Sequence, residues 1–171
     1  MGPARHMELV PDTGAERIVW PVPFADGLPV LKALRGRQGV VLASGDPFWF
    51  GAGSMIAREF EPDEWRAFPG VSVFGLAASR LGWPLEDTLC LGLHAAPVSR
   101  LRPHLAEGVP IMATLRDGDA VKGLANYLSA NGFGATVLHV MEALGGPNER
   151  VRRTVAETFD LTEVRHPVVV A

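Results

Sequence analysis

Ala43-Ser-Gly-Asp-Pro-Phe-Trp-Phe-Gly-Ala-Gly53 follows an apolar run, Gly39-Val-Val-Leu-Ala43, and leads into a predicted helix. A short apolar run of this kind suits a strand buried on both faces. The segment after it is therefore a loop at the carboxyl end of a strand, where open α/β sheets bind ligands. Gly45 lets a backbone approach a ligand closely, Pro47 fixes a turn or first helical position, and Gly51 and Gly53 leave room where a side chain would intrude. Phe48, Trp49 and Phe50 concentrate aromatic surface in the same loop. Two readings fit these residues: a ligand pocket, or a tight turn whose aromatics pack into the core.

Upstream, residues 2–23 are turn-rich and hold one short strand candidate, Arg17-Ile-Val-Trp20, closed by Pro21 and Pro23. A short helix is predicted over 28–34, ended by Arg35-Gly36. Downstream, helices are predicted over 62–68 and 74–81, the second with Leu76, Ala77 and Leu81 along one side. Gly82-Trp-Pro-Leu-Glu-Asp87 interrupts that periodicity, and Pro84 keeps the residue before it from continuing a helix. A linker placed there divides the chain into domains of residues 1–84 and 85–171. Beyond it, strand 89–94, helix 98–107, strand 109–115, helix 119–131 and strand 136–141 alternate, which argues for parallel strands covered by helices. Asn131-Gly132 ends the second of these helices with a pair suited to a left-handed cap. Residues 150–158 and 168–170 read as strands, the first with alternating side chains and an antiparallel return at the end of a mostly parallel sheet. The fold class is α/β.

The chain has 171 residues, 47% of them hydrophobic, enough to bury a substantial core in one domain or two small ones. Its formal charge of -3, from 16 basic and 19 acidic side chains, contains no sustained Lys/Arg block to neutralise a row of phosphates, so nucleic acid is disfavoured as a partner. Cys90 is the only cysteine, which excludes an intramolecular disulfide and a multi-cysteine metal site. Within Thr88-Leu-Cys-Leu-Gly-Leu93 it reads as an inert core thiol. The sequence shows neither an apolar run of membrane-spanning length nor a leader pattern, so no membrane association and a cytoplasmic location are expected. His6, His104, His139 and His166 lack metal-ligand spacing, and no metal site is predicted. Gly132-Phe-Gly134 follows a helix and precedes a strand, the reverse of a dinucleotide-binding turn.

Ser44-Gly-Asp-Pro-Phe-Trp-Phe-Gly51 resembles the Gly-Asp-Pro signature of the tetrapyrrole methylases, and Phe68-Pro-Gly-Val-Ser-Val73 resembles that family's next landmark, a Pro-Gly-Val-Ser turn. Ala77-Ala-Ser-Arg-Leu-Gly-Trp-Pro84, the strand ending in His94, and Glu142-Ala-Leu-Gly-Gly-Pro-Asn-Glu-Arg150 resemble the precorrin-6Y C5,15-methyltransferase branch. The resemblance implies two α/β domains with S-adenosylmethionine folded in the cleft between them. It implies an enzyme that methylates C5 of a precorrin macrocycle, precorrin-6Y or cobalt-precorrin-7, in cobalamin biosynthesis. A homodimer is usual in the family, and in some relatives a C15-methylating and decarboxylating domain follows.

Position by position, the resemblance assigns Gly45, Asp46 and Trp49 to a first cofactor loop and Ser72 and Val73 to a second. It assigns Leu115 to the loop after a second-domain strand, Leu144 to the Glu-Ala-Leu-Gly loop and Pro167 to the start of the last strand. Ordinary packing is the alternative for Leu115, Leu144 and Pro167, and a turn-capping carboxylate the alternative for Asp46. A sulfonium methyl is already activated, so its transfer needs in-line positioning and exclusion of water, not a protein nucleophile. Asp46, His94 and Glu142 are candidates for a base that removes a proton from the macrocycle, and no catalytic residue is assigned. His94 matches a Leu-His-Gly-Arg pattern of the branch, with Ala95 and Ala96 in place of Gly and Arg. Arg100 and Arg102 stand close enough in sequence to meet a substrate carboxylate instead.

Gly2-Pro-Ala-Arg-His6 resembles a segment that the family places after an opening strand, a Gly-rich turn and a helix. The resemblance therefore implies a first domain lacking that strand-helix unit, roughly thirty residues, and with it one wall of the cofactor cleft. Two other readings stand beside the methyltransferase. One is a catalytically inactive fragment that binds tetrapyrrole or a partner subunit. The other is a relative with a different substrate, such as uroporphyrinogen, a diphthine precursor or ribosomal RNA.

Overall fold

The computed structural model describes residues 1–171, which divide into two compact units, Met1–Ser72 and Val73–Ala171. This division precedes the linker expected at 82–87, and the cause is a helix. Along Val73–Leu81, Phe74, Ala77 and Ala78 are buried with Met112, Met141 and Val169, so the helix shares its core with the later residues. Pro84 ends the helical segment without ending the unit.

The first unit carries three short helices: α1 (Ala4–Met7), α2 (Gly27–Ala33) and α3 (Gly53–Ile56). Trp20 anchors the start of α2. Its ring stacks on Phe24 with centroids 4.5 Å apart, and its indole N–H donates to the Phe24 carbonyl at 2.8 Å. The strands expected at 17–20 and 39–43 and the helix expected at 62–68 do not form. What forms instead is a rudiment: Gly2 bridges Val19 in parallel, and Leu42 N–H donates to the Met1 carbonyl at 2.8 Å. A strand buried on both faces needs covering layers as well as ladder partners, and here Val40 is 71% exposed. The apolar run alone does not supply them.

The second unit contains a five-stranded mixed sheet made of β1 (Leu89–Gly92), β2 (Ile111–Leu115), β3 (Val137–Glu142), β4 (Arg150–Val155) and β5 (Val168–Val170), in the order β1-β2-β5-β3-β4. β1 and β2 pair in parallel, while β5 is antiparallel to both β2 and β3, and β4 is antiparallel to β3. The expected antiparallel return is β4, at the edge. β5, expected as a strand at 168–170, fills the middle of the sheet, where all three valines are buried. An all-apolar strand is stable only where both of its faces are covered.

Two helices supply the cover. The helix α4 (Val73–Leu81) lies over the face presenting Met112, Met141 and Val169. α5 (Gly118–Ala130) lies over the opposite face, where Val121, Leu124, Ala125 and Leu128 meet Ala113, Leu115, Val140, Val168 and Val170. Odd and even strand positions divide between the two clusters as the period of two requires. α5 starts where Asp117 accepts the Ala120 N–H at 2.9 Å and stops at Asn131, followed by Gly132 at φ 87°. The helix expected over 98–107 is a 3-10 stretch, Val98–His104, that contains Pro103. No helix is long and apolar enough to cross a membrane.

Candidate functional site

In the first unit the Gly45 loop is built by close backbone approach. Gly45 has φ 56°, its carbonyl accepts the Gly70 N–H at 3.2 Å, and a Cβ at this position would stand 3.0 Å from the Val71 carbonyl oxygen and 3.3 Å from Ser72 Cα. Only glycine satisfies both the dihedral and the space. The loops at 44–51 and 68–73 are thereby held together, bringing Gly45 beside Ser72. Pro47 then turns the chain, and its carbonyl accepts Gly53 N–H at 2.7 Å; a Cβ on Gly51 would come within 2.6 Å of the same oxygen. Asp46 Oδ1 accepts the Phe48 N–H at 2.8 Å, the turn-capping arrangement.

The aromatics of this loop do not pack into the core. Phe48, Trp49 and Phe50 are 46%, 41% and 52% exposed, with Phe48 tilted against Trp65 at a centroid separation of 5.5 Å. Exposed aromatic rings next to a backbone with no intruding side chain suit a flat, partly apolar ligand.

In the second unit the remaining assigned residues gather at one end of the sheet. Leu115 ends β2 and pairs with Val168, and Glu142 ends β3 and also pairs with Val168. Pro167, just before β5, accepts the Ala143 N–H on its carbonyl at 2.9 Å. Leu115, Leu144 and Pro167 therefore stand within a residue or two of one another's strand ends, although the chain separates them widely. Their exposure differs: Leu115 is 5% exposed and belongs to the α5 core, Leu144 is half-buried against Phe74 and Met141, and Pro167 is exposed. The Leu115 side chain is thus a core group, turned toward α5. Val73 opens α4, half-buried against the same cluster as Leu144.

The three base candidates separate clearly. Glu142 is 1% exposed, its carboxylate bonded to Arg150 and, at 2.7 Å, to Arg152. Burial pushes its pKa up, but the hydrogen bonds from both guanidiniums outweigh this and hold it below the usual value. It is a fixed anion that organises the sheet edge. This also explains β4, whose Arg150 and Arg152 turn toward Glu142 while Val151 is 44% exposed and Arg153 is exposed as well. Asp46 is engaged with its own loop. His94 is exposed at the end of β1, its Nδ1 3.3 Å from Thr114 Oγ1, one residue before Leu115. It alone of the three combines accessibility with a place at the assembled strand ends. Arg100 and Arg102 are exposed on the 3-10 stretch.

Sequence reasoning passed over Arg80 and Glu149. Arg80 Nε and Nη2 reach the Glu149 carboxylate at 2.5 and 2.9 Å, and that carboxylate accepts the Gly145 N–H at 2.8 Å. The pair fixes the Leu144 loop to α4. No local pattern announces it, since 69 positions separate the partners. Cys90 is half-buried in β1, and burial raises its thiol pKa, as suits an inert thiol. His139 lies edge-on to Trp83 at 6.1 Å, and burial followed by the Arg153 charge lowers its pKa. No group of His, Cys, Asp and Glu side chains is suited to hold a metal ion.

Residues 25–160 match the family of tetrapyrrole (corrin/porphyrin) methylases. The chain is 43% identical over 98% of its length to the precorrin-6Y C(5,15)-methyltransferase [decarboxylating] of Sinorhizobium sp, and it spans 40% of that protein's length. It is 29% identical to the cobalt-precorrin-7 C(5)-methyltransferase of Salmonella typhimurium, over 88% of this chain and 74% of that one. Among solved structures, the methyltransferase CobJ superposes with a TM-score of 0.76 at 20% identity, covering 99% of this chain and 80% of CobJ. The uroporphyrin-III C-methyl transferase of Thermus thermophilus, complexed with S-adenyl homocysteine, superposes with a TM-score of 0.61 at 22% identity, covering 83% of this chain and 66% of that one.

Proposed function

The chain belongs to the tetrapyrrole (corrin/porphyrin) methylases, and on that premise we propose that it acts in the S-adenosylmethionine-dependent methylation of a precorrin macrocycle at C5, in cobalamin biosynthesis. The observation that carries this is the contact of the two loops the family resemblance assigns to the cofactor: Gly70 N–H bonds Gly45 O, with Ser72 packed against Gly45. The similarity to a methyltransferase of C5 alone, of which this chain spans 74%, favours C5 over C15 as the position modified.

The residues we assign to the cofactor on the family resemblance are Gly45, Asp46, Trp49 and Ser72 within the first unit; the resemblance also names Val73, Leu115, Leu144 and Pro167 within the second. What supports such a group is limited: Gly45 is exposed although Val71 and Ser72 close its Cβ side, Trp49 presents aromatic surface, and Pro167 is exposed. When bound, S-adenosylmethionine supplies an activated sulfonium methyl. The chain's part is to orient the ligand and to exclude water, and in the first unit the exposed Trp49 ring offers apolar surface for this. No catalytic residue is assigned; among the three base candidates His94 is the exposed one, beside Thr114.

Titration calorimetry of the 171-residue chain with S-adenosylhomocysteine tests this. Saturable binding is expected, lost when Gly45→Trp is combined with Asp46→Ala. Unchanged affinity in that double variant would remove the assigned loop.

A further inference from the structure

We propose that Arg5, His6 and Ser44 form a docking site for one carboxylate at the rim of a small apolar cavity in the first unit. It rests on the methyltransferase function proposed above, under which both ligands carry the required chemistry. A precorrin bears carboxylate arms, and S-adenosylmethionine ends in an amino-acid carboxylate.

Arg5 Nη2 donates to Ser44 Oγ at 2.9 Å, and the same oxygen lies 3.1 Å from His6 Nε2. Two neighbouring residues of α1 thus converge on one hydroxyl some 39 positions away. Ser44 is joined directly to Gly45 and so moves with the cofactor loop. The partner of Arg5 is a neutral hydroxyl and no carboxylate pairs with it, as is also true of Arg17, whose partners are backbone carbonyls. The charge of Arg5 is accordingly uncompensated where it meets a second base. His6 Nδ1 is buried with no hydrogen bond of good geometry, the Leu42 backbone supplying only a weaker polar contact. Burial, then the Arg5 charge, lowers the His6 pKa. An arriving carboxylate accepts from Arg5 and offsets its charge beside His6, whose Nε2 faces Ser44 while the buried Nδ1 lies on the other side of the ring.

The cavity beside this cluster has a volume of 180 Å³ and is walled by Trp20, Phe24, Leu42 and Phe50, with His6 and Ser44 at its polar side. This is below the ~300 Å³ of sites that enclose a whole drug-sized ligand. It takes one arm or one end of a larger molecule. Apolar walls beside a bidentate-capable guanidinium are suited to the methylene stem and the carboxylate of such an arm.

Calorimetry with three probes distinguishes the sources: uroporphyrin III, its octamethyl ester, and S-adenosylhomocysteine. Arg5→Gln is expected to weaken one of the two acids about tenfold and leave the ester unchanged. Arg5→Lys should recover part of the loss, and Ser44→Ala should weaken the same probe to a lesser degree. A loss confined to uroporphyrin assigns the site to a macrocycle arm, and a loss confined to S-adenosylhomocysteine assigns it to the cofactor's amino-acid end. Should Arg5→Gln fail to fold, the Ser44→Ala comparison carries the same readout. Parental affinity of the variants for both acids overturns the docking site and leaves the methyltransferase function standing. Failure of the parent chain to bind either acid overturns both.

Discussion

Arg80 grips Glu149 through two nitrogens, at 2.5 and 2.9 Å, while the same carboxylate receives the N–H of Gly145 at 2.8 Å. The loop that carries Leu144 is thereby tied to α4, although 69 positions separate the paired residues. The Arg80 hydrogen bond, with the Gly145 N–H, lowers the Glu149 pKa from 4.5 to about 2. A folded-state value below the unfolded one stabilises the protein above the unfolded value, and that contribution disappears as pH falls through the folded value. Urea midpoints should therefore drop between pH 4.5 and pH 2, and Glu149→Gln should flatten the drop in that window while lowering the midpoint at pH 7. A variant with the parental pH slope would show that Glu149 does not hold the loop.

Glu142→Gln separates a structural anion from a base. Removing one partner of a buried ion pair costs ~3–5 kcal/mol, and Arg152 keeps enough solvent contact to reduce this to about 2–3 kcal/mol. Chemical denaturation should show that loss at neutral pH. Full stability together with abolished methyl transfer would restore Glu142 as a catalytic group.

Trp49→Ala should change stability by about 1 kcal/mol or less, because the ring is 41% exposed, and should weaken S-adenosylhomocysteine about three- to tenfold through lost stacking surface. The opposite pattern, a large stability loss with parental affinity, would make Trp49 a packing residue.

Leu115→Ala should do the reverse. Its side chain is 5% exposed in the core against α5, so its truncation is expected to cost ~2–5 kcal/mol. Ligand affinity of the folded variant, measured at low temperature, should stay within about twofold of the parent because the side chain is buried in the core. A selective affinity loss without destabilisation would contradict that geometry.

His139→Gln should relieve acid sensitivity. Burial and the Arg153 charge lower the His139 pKa below 6.5, so the neutral ring stabilises the fold above the unfolded value and the benefit fades as pH falls through the lower, folded one. Thermal midpoints between pH 7 and pH 5 should fall less in the variant than in the parent. Identical slopes would remove His139 from the acid response.

Local residue patterns were legible where their causes are local. α5 is bounded by Asp117 and Asn131-Gly132, which satisfy its ends through neighbouring backbone groups, and it forms close to its expected span. The run at 39–43 has the composition of a buried strand yet remains exposed at Val40, because burial depends on layers that the run does not itself contain. Of the cofactor-loop residues, Gly45 announces itself through the turn it permits. Leu144 and Pro167 look like ordinary packing residues until the backbone bond from Ala143 to Pro167 sets them side by side.

Periodicity and turn chemistry suffice for the alternation of β1, β2 and β3 with helical segments and for the small-residue loop at 44–51, while the family landmarks there rest on resemblance. Each depends on neighbours within a few residues. Long-range packing settled the rest: the central place of β5, the transfer of α4 to the second unit, the burial of Glu142 between two arginines, and the meeting of Leu115, Leu144 and Pro167 at one end of the sheet. Strand order and ion pairing join residues far apart in the chain. Their partners leave no trace in the spacing of side chains along a single segment.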